Sequence, residues 1–425
     1  MSLSKTMAYV ILVYPMFLAF LQELLGLPGV VKYVADMAWF TIALLSLFHS
    51  NIRIRKVILP FAAVVGILAL YTFLVYLFRY QSILYYIWGF RNYFRFFVAF
   101  IAFATLFSEE DGLWGLDFLD RLFYINVVAC LIQFLMGNHQ DNIGGIFGTV
   151  KGCNGYLIVY LSITTCKTLL AYMESKEAAI PCFAKCILSL LISAFAELKF
   201  FFVAFSVILI ISAFLTSFSI KKVMILFGCT VLIFIGAAIL STIYTYFDGF
   251  FSFDSMVTAV IQGNYASGSD IGRTNAIQFI SRRFLTTFPD QLFGLGLGNC
   301  ETSSIAMFNT AFSDRYVDLH YSIFSYAFMF LENGYIGLIL YVLFFVLCFV
   351  NARKQFKNGC GNRLLCQIAI IMSVICLILL IYNSSLRTEA GYMAFFTLAL
   401  PYMQKIGEEN RKSKKQGRLK IKFKF

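Results

Sequence analysis

The chain has 425 residues, of which 60% are hydrophobic, 18% aromatic and only 13% charged, with a formal net charge of +12. A soluble protein carries about 25% charged residues, so this composition excludes a soluble globular domain, and the lack of alternating polar and apolar strands excludes a membrane β-barrel. The positive excess sits in short loops and in the C-terminal tail, the pattern of segments kept on the cytoplasmic side of a membrane, so no nucleic-acid partner is expected.

Apolar runs of about 20 residues, the length that crosses a bilayer as a helix, recur from end to end. The first covers about 7–25. It has no small-residue cleavage site and another run follows at once, so it reads as a span rather than a removable leader. The second covers about 34–50 and the third about 57–78. The loop between them, 51–56, has three cations and no acid, which places it in the cytoplasm. The segment from Arg79 to Arg95 is then outside and is rich in Tyr, Trp and Phe, like an interfacial belt. Arg91 and Arg95 are four apart and share a helix face at the outer edge of the fourth span, about 94–108. An arginine pair entering a membrane helix needs a partner, a polar cavity or a snorkelling route, so anion binding is one role for it.

An acidic loop, Ser108–Arg121, leads to the fifth span, about 121–136. A glycine-containing outer loop, Gly137–Gly152, leads to the sixth, about 153–173. Spans seven and eight, about 183–197 and about 200–218, meet at Glu197-Leu198-Lys199 on the outer face. There Glu197 either neutralises Lys199 or leaves it at a cavity mouth. The ninth span, about 223–246, opens into the only long polar stretch. The tenth starts near Leu319 and ends near Val350, too long for one crossing, so Glu332-Asn333-Gly334 is expected to break it. The eleventh and twelfth cover about 365–383 and about 391–403, joined by an outer turn that holds Arg387.

The expected fold is an all-α polytopic membrane protein with about 12 transmembrane helices and a large, partly helical outer loop between spans nine and ten. The divisions are spans one to nine over 1–247, the outer loop over 248–318, spans ten to twelve over 319–403, and a basic cytoplasmic tail over 404–425. A helix over Thr274–Thr286 is expected in the loop. The eleven cysteines are scattered, without metal-ligand spacing, and read as buried thiols. Cys153 and Cys300 both fall outside, where a disulfide is one option and free thiols the other.

With both termini inside, the large loop, Arg91, Arg95, Lys199 and Arg387 share the outer face. Basic side chains gathered there suit an anionic ligand, and arginine grips phosphate oxygens in bidentate fashion. A substrate that is anionic, outside and still in the membrane points to a polyprenyl diphosphate. Neutralising the leaving diphosphate would drive glycosyl transfer without a metal or other cofactor. His320 has the acid–base character to take a proton from an attacking sugar hydroxyl, while a hydrogen-bonded interfacial histidine is the alternative.

The stretches Gly272-Arg273, RRFLTTFPDQLFGLGLG, Leu319-His320-Tyr321 and LENGYIGLILY together resemble the O-antigen polymerase and O-antigen ligase superfamily. Glu332, Gly334 and Gly337 match its E-x-G-x-x-G start of the next span. Arg283 followed by Gly294 fits its Arg-x10-Gly pattern, and DNIGGIFG and the Ala-Glu197-Leu198-Lys199 junction are similar to family features. The resemblance implies a bacterial cytoplasmic-membrane glycosyltransferase that polymerises repeat units of a capsule or other surface polysaccharide. It would pass the chain on undecaprenyl diphosphate to the non-reducing end of a new lipid-linked repeat. It also implies that Arg273, with Arg91 and Arg95, holds the diphosphate and that His320 activates or orients the acceptor. Arg282, Arg283, Lys199, Glu332 and Arg387 are secondary candidates. The lipid bilayer, the lipid-linked oligosaccharide, a chain-length regulator and a flippase are the implied partners. A ligase passing finished chains to another acceptor, and a flippase for the lipid-linked oligosaccharide, are the rival readings.

Overall fold

The computed structural model describes residues 3–48, 55–79, 81–150, 152–217, 219–243, 271–303 and 305–404. The first part of the expected outer loop up to residue 270, residues 51–54 with Arg53 of the basic loop, and the tail from residue 405 lie outside the described residues. Helix dominates: in hydrocarbon each backbone polar group must be bonded within its own element. The long helices before the loop are α1 (Leu3–Ala19), α2 (Val34–Phe48), α3 (Leu59–Arg79), α4 (Ile83–Leu106), α5 (Glu109–Leu135), α6 (Asn154–Met173), α7 (Ala179–Phe195), α8 (Lys199–Leu215) and α9 (Ile220–Ile243). A π-helical turn carries α1 on to Leu24. Three short helices come next, α10 (Ala276–Arg283), α11 (Phe288–Phe293) and α12 (Ala311–Tyr316). The chain closes with α13 (Ser325–Lys357), α14 (Arg363–Tyr382) and α15 (Ala390–Ala399). Among the described residues there is no strand, only a bridge from Ser108 to Gln404.

Among the described residues, six helices are long and apolar enough to cross a membrane: Leu3–Leu24, α3, α5, α6, α13 and α14. α7, α8 and the Lys222–Ile235 part of α9 are apolar but shorter. The bundle interior is aromatic. Phe61 of α3, Phe97 and Phe100 of α4, Phe344 of α13 and Phe395 of α15 interlock, with ring centroids 4.8 Å apart for Phe97–Phe344 and 5.5 Å for Phe344–Phe395, separations at which tilted and offset rings attract. The outside is apolar too, with Phe214 85% and Phe78 79% exposed, as befits a surface that hydrocarbon covers.

Polar contacts collect at the two ends of this bundle. At one end Lys5 pairs with Asp111 at 2.6 Å, Lys185 with Asp120 at 2.8 Å, and Arg363 with Glu174 at 3.2 Å. At the other, Arg79 pairs with Asp290 at 2.6 Å and Arg95 with Glu389 at 3.0 Å, and Phe200 stacks on Tyr382. The expected break in α13 is present: Gly334 has φ +61 and ψ −166 inside the helix.

Some boundaries differ from expectation. α4 begins at Ile83, capped by the Ser82 hydroxyl, so Arg91 and Arg95 lie well inside the helix and not at its edge. Inside the helix both guanidinium groups find carboxylates, Arg91 with Asp36 and Arg95 with Glu389. The acidic stretch after Ser108 is the first part of α5, not a loop. Ser108 and Asp111 form a capping box, and three acids sit in the positively polarised first turn. The helix expected over 274–286 is shorter, Ala276–Arg283. Cys153 and Cys300 are both buried free thiols, so the disulfide option is not taken.

Candidate functional site

The segment 271–324 is folded down onto the bundle end, and the break in α13 is its anchor. The Leu295 N–H donates to the Leu331 carbonyl at 3.0 Å and the Gly296 N–H to the Glu332 carbonyl at 2.8 Å. Tyr71 of α3 donates from its hydroxyl to the carbonyls of Asn333 at 2.7 Å and Leu292 at 3.2 Å. Gly294 is required: a Cβ there would lie 2.4 Å from the Glu332 carbonyl, and its φ is +71. Gly298 lies against α4, where a Cβ would meet the Tyr85 carbonyl oxygen at 1.9 Å. Gly294 and Gly298 thus line a close-approach seam between loop and bundle. The Thr287 hydroxyl and the Arg79 guanidinium hold the Asp290 carboxyl below its ordinary range, which pins the same loop to the end of α3.

Above this seam lies a buried polar centre. Arg387, 13% exposed, donates to the Ser322 carbonyl at 3.2 Å and pairs with Glu301 at 3.4 Å, and its guanidinium lies 3.4 Å from the Phe328 ring centroid. Glu332 is fully buried, with one carboxylate oxygen accepting the Cys300 N–H at 2.9 Å. Its other oxygen, the Tyr93 hydroxyl and the Asn333 side-chain oxygen are buried without a hydrogen-bond partner. Three such atoms together are unusual, because a buried polar atom normally finds a partner.

Next to it is an ion network. Asp36 of α2 pairs with Arg91 and lies 3.8 Å from Arg95. Arg95, 4% exposed, pairs with Glu389, whose other oxygen accepts the Tyr156 hydroxyl at 2.5 Å. The Arg91 guanidinium also lies over Trp88 and Tyr33. These two arginines, expected at a diphosphate, are engaged by carboxylates and tie α2, α4, α6 and the α14–α15 turn together.

Arg273 and Lys199 form a third group, within electrostatic reach of each other. The Arg273 guanidinium lies 4.3 Å from the Tyr382 ring centroid, and the Tyr326 hydroxyl donates to the Arg273 carbonyl. Lys199 pairs with Glu197 at 3.1 Å. His320 is exposed and has a left-handed backbone, φ +51, two residues before the carbonyl that Arg387 grips. Arg282 and Arg283 are exposed on α10. Arg283 lies over Phe279 and Tyr316, a cationic and aromatic face.

The structure therefore brings every expected site residue to the same end of the bundle. It also adds five side chains: Asp36, Glu301, Glu389, Tyr156 and Tyr382. Among the named groups, Arg91, Arg95, Lys199 and Arg387 pair with Asp36, Glu389, Glu197 and Glu301, while Arg273 lies over the Tyr382 ring. The paired set is formally balanced, and the exposed Arg282 and Arg283 carry charge beyond it. Asp36, Glu301 and Glu389 lie in short turns or at helix starts, unmarked by any spacing. No family model matches the chain, and no curated protein matches it significantly.

Proposed function

We propose that this chain is a twelve-span bacterial membrane glycosyltransferase that polymerises lipid-linked polysaccharide repeats on the outer face of the cytoplasmic membrane. The observation that carries the reading is the convergence of Arg273, Lys199, Arg282, Arg283 and His320, with the whole described part of the 271–324 segment, on one end of an apolar bundle. Consecutive helix ends alternate between that end and the one bearing Lys5, Lys185 and Arg363, which supports both termini in the cytoplasm.

In this reading undecaprenyl diphosphate keeps its tail in the bilayer while Arg273, Lys199, Arg282 and Arg283 contact its phosphates. A hydroxyl of the incoming repeat attacks the anomeric carbon of the donor chain, His320 takes the hydroxyl proton, and the anomeric C–O bond breaks to release undecaprenyl diphosphate. The cations offset the charge that develops on the leaving oxygen. Arg91, Arg95, Arg387 and Glu332 shape the floor of the site.

Purified protein reconstituted with lipid-linked repeats should build a ladder of longer chains, and Arg273→Ala and His320→Ala should abolish it with folded protein retained. Full activity in both variants overturns the site. Movement of the lipid across the bilayer with no ladder favours a flippase, and transfer only to a different acceptor favours a ligase.

A further inference from the structure

Among the described residues three non-glycine residues have positive φ: Ser175 at +61, Glu197 at +53 and His320 at +51. Ser175 and Glu197 stand in the same helix-ending motif. After α6 the Ser175 N–H donates to the Tyr172 carbonyl at 2.9 Å and the Lys176 N–H to Ala171 at 2.8 Å. After α7 the Glu197 N–H donates to Ala194 at 3.2 Å and the Leu198 N–H to Ser193 at 2.8 Å. Glycine normally fills that left-handed position, because any side chain there is strained. Ser175 lies at the basic-loop end. Glu197 lies at the site.

The turn after Glu197 gives its side chain a task. Leu198, with φ −78 and ψ 66, makes an inverse γ-turn, and the Lys199 N–H donates back to the Glu197 carbonyl at 2.9 Å. This tight reversal brings the Glu197 carboxylate and the Lys199 ammonium together at 3.1 Å, with the side chains 16% and 21% exposed. The next residue, Phe200, stacks on Tyr382 with centroids 4.3 Å apart and an interplanar angle of 21°. The Arg273 guanidinium is also 4.3 Å from the Tyr382 centroid. Phe200 and Arg273 thus both pack on Tyr382. Lys199 is within electrostatic reach of Arg273. Without the Glu197 carboxylate, Lys199 loses the ion pair at 3.1 Å that helps set the direction of its flexible four-carbon stem.

We propose that Glu197 is a positioning residue for the diphosphate: it holds Lys199 within electrostatic reach of Arg273, so that the two cations contact the phosphates of one prenyl diphosphate. This rests on the polyprenyl-diphosphate reading above, and the strained backbone at Glu197 is kept for that purpose.

Glu197→Gly tests it, with Ser175→Gly as the matched control. Both substitutions relieve the same backbone strain, so both should hold or raise Tm. Binding of farnesyl diphosphate and of inorganic pyrophosphate is measured on the purified protein, and ladder formation is measured in parallel. Glu197→Gly should lose about tenfold or more in farnesyl diphosphate affinity, the worth of a charge-assisted contact. It should raise KM for the lipid-linked donor more than it lowers kcat, while Ser175→Gly behaves as wild type. Glu197→Gln retains a hydrogen-bond acceptor for Lys199 and should fall between, and it serves if the glycine variant does not fold. Wild-type affinity in both Glu197 variants overturns the positioning role. A wild-type protein that binds neither probe and builds no ladder overturns the functional reading instead.

Discussion

The Arg95–Glu389 pair gives the sharpest quantitative test. Burial pushes the Glu389 carboxyl up, but the Arg95 charge and the Tyr156 hydroxyl outweigh it and carry its pKa from an ordinary 4.5 down to about 2. At 1.36 kcal/mol per tenfold change in proton affinity, that drop amounts to about 3 kcal/mol. Removing one partner of a buried pair independently costs about 3–5 kcal/mol, because the other charge is left without compensation. Glu389→Gln should therefore lower Tm by about 3 °C or more in a chain of this size, read by tryptophan fluorescence in detergent at pH 7. The pH dependence has a fixed sign. A depressed carboxylate stabilises the fold above its unfolded value and loses that contribution as pH falls through the folded one. The gap between wild type and Glu389→Gln should be full above pH 4.5 and should close as pH approaches 2. Arg95→Met combined with Glu389→Gln should recover much of the loss, because no buried charge then stands alone. A gap that does not change with pH, or a Glu389→Gln cost well under 1 kcal/mol, refutes the reasoning.

Other predictions concern the seam between loop and bundle. Gly294→Ala, with φ +71 and a Cβ 2.4 Å from the Glu332 carbonyl, should cost about 2–4 kcal/mol. Gly359→Ala, with φ +62 and open space around it, should cost only about 1 kcal/mol; equal Tm losses would rule out the close approach. Glu332→Ala leaves the Cys300 N–H without its acceptor and should cost about 1–3 kcal/mol. Glu332→Gln keeps an oxygen there, and its thermal stability should be nearer wild type. Tyr71→Phe removes the hydroxyl that donates to Asn333 and Leu292 and should cost about 1 kcal/mol. Its amide exchange should rise first over residues 292–300.

Membrane helix was legible in the sequence because it needs only composition and run length. Hydrocarbon leaves the backbone one solution, and a run of about 20 apolar residues declares it. The break at Glu332-Asn333-Gly334 was legible for a related reason, since a helix too long for one crossing must bend and glycine marks where. The basic residues of the candidate site stood out as cations in an apolar chain. Their partners did not. Asp36, Glu301 and Glu389 come from three distant parts of the chain, and only packing brings Asp36 and Glu389 to Arg95 and Glu301 to Arg387. Nor does any local pattern say that Arg91 and Arg95 are engaged by carboxylates while Arg282 and Arg283 stay exposed. Helix formation depends on neighbours in sequence, whereas the balance of charge at a site depends on neighbours in space, and that was decided by the tertiary structure alone.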